Sequence, residues 1–164
     1  MLKCCQFLIV SLFLMLNLQA QTDSVKAVEI SQYVSQYDTS QSIISVNRFK
    51  MDSVEIIAHT YSDKIETENY FTKSKTTLKI TFFLKDTQLV LSNIVEQSPK
   101  FRDLQRRFTY YFENEMIIHY NIRYGWQLGL AIRVGEDFTK IFGYNETFTD
   151  KFLREYIGQL YNRL

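Results

Sequence analysis

The chain has 164 residues, 19 basic against 18 acidic, with 13 Phe, 11 Tyr and one Trp but only one Pro and five Gly. That length suits one domain and excludes a large multidomain enzyme. Charge so close to balance lacks the basic excess of a nucleic-acid footprint, and the aromatic content excludes a disordered or low-complexity chain.

The first twenty residues read as an address. Lys3 precedes an apolar run from Phe7 to Leu16, and Leu18 and Ala20 then stand where a signal peptidase expects its −3 and −1 residues. The run is about half the roughly twenty residues that a helix needs to cross a bilayer. The pattern predicts a cleaved signal peptide over 1–20 and a single exported domain over 21–164, with no membrane span once the signal is removed. An uncleaved anchor is the alternative. Cys4 and Cys5 both precede the apolar run, so the expected product of 144 residues carries no thiol, and its 18 basic and 18 acidic residues cancel. An exported domain without disulfides fits the periplasm or exterior of a bacterial envelope better than a small eukaryotic secreted protein. Asn145-Glu146-Thr147 is a glycosylation triplet with meaning only in a eukaryotic secretory pathway.

Within 21–164 no linker, charge block or repeat divides the chain. Thr22-Asp23-Ser24 offers cap residues for a helix whose apolar positions are Ala27, Ile30, Val34 and Tyr37, with Tyr33 beside them. The period then shifts from 3.6 toward 2. Strands are expected at Ile43–Phe49, Val54–Tyr61 and Ile65–Phe71, followed by two hairpins.

In the first hairpin, Leu78–Leu84 and Leu89–Val95 join through a two-residue Asp86-Thr87 loop. That loop pairs Leu84 with Leu89 and Phe82 with Leu91. It leaves Asn93 as the polar exception on the apolar face and puts Phe83, Val90 and Ile94 on the other. In the second, Arg106–Phe112 and Met116–Tyr124 join through a three-residue Glu113-Asn114-Glu115 loop, because two residues segregate the side chains less well. This pairs Phe108 with Tyr120 and sets His119 opposite Thr109.

Ser98-Pro99 breaks the chain between the hairpins, and Leu128–Val134 alternates as a further strand among four of the five glycines. Thr149 then caps a closing helix with Leu153, Tyr156, Ile157, Leu160 and Leu164 on one stripe, and Phe148 placed to staple onto Leu153. The fold class is α+β: an antiparallel meander of about five to seven strands whose apolar face is covered by the N-terminal and C-terminal helices.

Few residues point to chemistry. On the polar face of the second hairpin, His119 near Arg107 and Arg123 could form an acid–base or anion-binding group, against the ordinary reading of a surface histidine. His59 falls in another strand, and two histidines without ligand spacing make no metal site. Asp63, Glu66 and Glu68 read as solvated hairpin positions rather than a catalytic carboxylate pair. No nucleophile elbow, phosphate-binding glycine loop or dinucleotide fingerprint is present, and Gly125–Gly129 has the wrong spacing for one. The Lys100–Arg107 stretch interleaves basic and aromatic residues, but Asp103 interrupts it. Neither cofactor nor metal is expected.

Phe83, Tyr111 and Trp126 suggest an exposed aromatic surface, against the reading that a second helix covers them as core. The expectation is therefore an exported, non-enzymatic binding protein that takes a protein, peptide or small apolar or sugar ligand on that sheet face or in a cleft beside it. The alternatives are an exported hydrolase built on His119 with Arg107 and Arg123, and an inhibitor-like module that adds an open strand edge to a partner sheet.

Overall fold

The structure, a computed structural model, describes residues 23–37, 41–125 and 137–164. The expected signal over 1–20, the strand at Leu128–Val134 and Trp126 lie outside these residues. Residues 23–35 form helix α1, and seven strands follow. These are β1 (Ser45–Met51), β2 (Val54–Thr60), β3 (Lys64–Phe71), β4 (Thr76–Lys85), β5 (Gln88–Gln97), β6 (Gln105–Glu113) and β7 (Met116–Gly125). A short helix α2 (Phe138–Phe142), which the sequence reading does not contain, precedes α3 (Asp150–Tyr161). The strands form one antiparallel sheet in the order β1 to β7, each bonded to its sequence neighbours. No described helix is long and apolar enough to cross a membrane.

Both hairpins depart from their expected register, and each carries one extra residue in its outgoing strand. The β4–β5 loop is the expected Asp86-Thr87, with Leu84 opposite Leu89, but Phe83 then faces Leu91, so Val90 is an extra residue. The β6–β7 loop is Asn114-Glu115 rather than three residues. Phe112 faces Ile117 and Tyr111 faces His119, so Ile118 is the extra residue there. All four loop residues have positive φ, the mirror-type turn that matches strand twist. Relative to an unbulged two-residue hairpin, each bulge moves every later side chain of the outgoing strand to the opposite face. In β5 this exchanges Asn93 and Ile94, whereas in β7 it offsets the shorter loop and leaves Tyr120 and Ile122 on their expected face. Phe82 therefore pairs with Ser92 rather than Leu91, and Ile94 joins Ile80 in the core, while Asn93 leaves it. Tyr120 pairs with Tyr110 and Ile122 with Phe108, and His119 stands opposite Tyr111, not Thr109.

One face of the sheet carries Ile56, Ala58, Leu78, Ile80, Phe82, Ile94, Phe108 and Tyr110, all buried, and α3 lies over it. Thr149 caps α3 by accepting the Phe152 N–H at 3.2 Å, and Leu153, Tyr156, Ile157 and Leu160 are the buried stripe. Phe148 stacks on Phe152 and meets Phe71, at ring separations of 5.7 and 4.8 Å. The buried aliphatic and aromatic side chains each contribute about 1.5–3 kcal/mol. The helix α1 and Tyr37, two residues past its end, pack against the other face, where Ser31 reaches Tyr111 and Tyr37 reaches Phe83. The two helices therefore sandwich the sheet at its turn end, a correction to the expectation that both cover one face.

Polar contacts fix how the C-terminal segment sits. The Arg106 guanidinium meets the Glu96 carboxylate at 2.5 Å, with Glu96 wholly buried. The other Glu96 oxygen accepts the Asn145 N–H at 2.7 Å, and Arg106 donates to the Asn145 carbonyl at 3.1 Å. Burial pushes the Glu96 carboxyl up, and the Asn145 N–H and Arg106 pull it back. Tyr156 donates to Asn69 Oδ1 at 2.9 Å, and Asn69 donates in turn to Thr67 Oγ1 and the Leu78 carbonyl. Tyr110 donates to Asp150 at the start of α3, at 3.1 Å.

Two measurements check this packing. Arg106→Leu leaves Glu96 buried without its cation and is expected to lower the unfolding free energy by about 3–5 kcal/mol in urea titrations, against under 1 kcal/mol for an exposed change such as Lys50→Leu. Burial holds the Tyr110 and Tyr156 hydroxyls far above their ordinary 10 and pushes Tyr144 up to about 12. Because these folded-state values are raised, their contribution to stability is complete below pH 10 and is lost as pH climbs toward and past 12. The melting temperature is thus expected to fall steeply above pH 10, and ultraviolet titration should show these phenolates appearing together with unfolding.

Candidate functional site

The register brings five of the sequence-derived candidates to one face. Across β4 to β7 at the turn end runs the row Phe83, Leu91, Tyr111, His119. The next row is Thr81, Asn93, Thr109, Asn121, and the one after is Lys79, Val95, Arg107, Arg123. The first row is the seat of α1. Ser31 Oγ donates to the Tyr111 hydroxyl at 3.0 Å, Lys26 pairs with Glu113 at 2.5 Å, and the Tyr37 ring meets Phe83 edge-on at 5.5 Å. The Tyr37 hydroxyl donates to the Leu84 carbonyl, and burial raises its pKa further above the ordinary range than Tyr33, Asp63 and Asp86 do. Phe83 and Tyr111 are consequently half-buried, and much of their surface is spent on the helix.

His119 tilts against Tyr111 at 5.6 Å between ring centres. Arg107 stands directly opposite Arg123. From His119 to Arg123 is four residues along one strand, about 14 Å, so the histidine and the two guanidiniums do not converge on one reacting atom. His59 faces Glu66, on the far side of β3. Among the described residues no three His, Cys, Asp or Glu side chains are grouped to hold a metal.

A cleft of about 520 Å3 opens at the same end of the sheet, on the face that carries α3. Its apolar wall is Leu89, Phe112, Ile157 and Tyr161, and its rim includes Thr87, Asn114, Glu115 and Asn162. Burial and the nearby Glu115 push the Tyr161 hydroxyl up. Three departures from local preference meet here. Gly158 sits in the last turn of α3 with open space where a Cβ would be, although Ala would favour the helix by up to about 1 kcal/mol. Thr87 and Glu115 hold positive φ of 68° and 66°, in turn positions that glycine fills without steric cost. Both turns stand next to a bulge that aims Leu89 and Ile117 toward α3. Where local rules fail together, function is the usual reason.

The sequence reading missed this cleft. Its legible signal was Gly158, a helix-weakening residue beside an otherwise well-formed amphipathic stripe. Chemically the site offers apolar walls, hydroxyl and amide groups and one carboxylate, with no paired acid and base and no nucleophile beside a base. Comparison with protein-family models, with curated proteins and with solved structures returns no match.

Proposed function

We propose that this chain is an exported, non-enzymatic binding protein whose cleft between α3 and the two hairpin turns takes a small neutral ligand. The ligand has an apolar face for Phe112 and Tyr161 and a hydroxylated edge for the rim, and a saccharide matches both. The observation that carries this reading is the convergence of Gly158, Thr87 and Glu115 on one cleft, each at a cost to local stability. The volume lies within the roughly 300–1,000 Å3 of small-molecule sites. Export rests on the Lys3–Ala20 pattern.

Calorimetric titration with neutral di- and trisaccharides is expected to give saturable binding. Gly158→Trp should abolish it at an unchanged fold, while Gly158→Ala should stabilise the protein by up to about 1 kcal/mol. Failure of every neutral saccharide to bind, or unchanged binding by Gly158→Trp, would overturn this assignment of the cleft. Export has a separate check. The protein recovered from outside the cytoplasm should begin at Gln21, and recovery of the intact 19.5 kDa chain from the cytoplasm would refute it.

A further inference from the structure

Three lysines of the sheet pair with acids on neighbouring positions. Lys50 faces Glu55 across β1 and β2 and bonds it at 2.8 Å. Lys79 faces Glu68 across β3 and β4 at 3.0 Å, and Lys64 reaches Glu66 at 2.7 Å. Arg48 on the edge strand β1 joins no ion pair among the described residues and faces Ile57, whereas Arg107 and Arg123 face each other. They are direct cross-strand partners on β6 and β7, both exposed, and neither joins an ion pair among the described residues. Their described neighbours on that face are neutral: Val95 across β5, Gln105 and Thr109 along β6, and Asn121 along β7. Like charges directly opposite each other on a sheet repel.

We propose that Arg107 and Arg123 form an anion site, independent of the cleft on the other face, that clasps the phosphate or sulfate group of a soluble monoester. Guanidiniums present planar forks that match such oxyanions, and side chains about 5 Å apart at Cβ can bracket a single tetrahedral group. The row beside them extends the site. Thr109 Oγ1 donates to Asn93 Oδ1 at 2.8 Å, which fixes that oxygen and turns the Asn93 amide nitrogen, together with the Asn121 amide, into donors for the carrier of the ester. This row lies about 7 Å from the arginines, roughly the width of one sugar ring. The helix α1 occupies the row after that and walls the shelf, so a bound ester lies along the strands with its charged end at Arg107 and Arg123.

The test is an amide-resolved NMR titration of the purified chain at constant ionic strength, with inorganic phosphate, sulfate and glucose 6-phosphate as probes. Saturable shifts are expected at residues 107–109 and 121–123, with glucose 6-phosphate binding several-fold more tightly than phosphate. Arg107→Gln and Arg123→Gln should each weaken binding by about tenfold, the scale of one charge-assisted pair. Arg48→Gln, an exposed cation at the far edge of the same face, should change it less than twofold. A second readout concerns the fold alone: with no ligand present, Arg123→Gln should raise the melting temperature by about 1–4 °C through relief of repulsion. The proposal is overturned by shifts that do not saturate, by an equal effect of Arg48→Gln, or by a lower melting temperature in Arg123→Gln. Binding to anionic phospholipid vesicles without response to the soluble esters would overturn the assignment to a soluble ligand.

Discussion

Two β-bulges at matching places, Val90 in β5 and Ile118 in β7, set the constraint on which the rest of the molecule depends. A regular hairpin has a single parity, so residues near its turn keep to the same faces as residues far from it. One extra residue, two pairs from each turn, lets Leu84, Leu89, Phe112 and Ile117 face α3 while Phe83, Leu91, Tyr111 and His119 face the other way. The turn end is thereby apolar on both sides. A sheet of that kind needs a helix on each face, and α1 and α3 supply them. Beyond the reach of α1 the same face reverts to Asn, Thr, Lys and Arg, which is why the charged shelf and the helix seat adjoin.

Polar groups inside the core choose among arrangements that apolar burial alone would tolerate. Leucine and phenylalanine surfaces slide over one another at small cost, whereas an unpartnered buried carboxylate or amide costs far more. The Glu96–Arg106 pair anchors Asn145, and Asn69 anchors Tyr156, so both the approach to α3 and its axial position are set by hydrogen bonds. Arg106 also lies over the rings of Phe108 and Tyr144 at 4.9 and 5.0 Å, which fills the apolar surroundings of its charge with ring faces.

Seven strands and the closing helix were legible because their signals are dense: period-two runs of β-branched and aromatic residues, and Thr149 before a regular stripe. The bulges were not, since a bulge leaves no residue type of its own. It showed only as an exception, Asn93 on the apolar face and Ile94 on the polar one, and as the poor segregation that a two-residue loop produced around Asn114. Amphipathicity told that each helix buries one side but not which sheet face receives it, and five residues of α2 are too few to show a period. Of the candidate site, the shared face of Arg107, Arg123 and His119 followed from alternation alone. Their spacing depended on the bulge, and the cleft depended on where α3 docks.

The order of the strands carries a consequence for how the molecule forms. Every pairing in the sheet joins sequence neighbours, and three of the hairpin loops close over two residues. Little chain entropy is lost before each pairing is rewarded, so the sheet can grow hairpin by hairpin without a distant segment to wait for. The costly closures belong to the ends, where Tyr156 must find Asn69 and Ser31 must find Tyr111 across more than seventy residues. Assembly is in this sense quick in its middle and slow at its margins. The two helices, last to be secured, are also the elements that wall the shelf and the cleft.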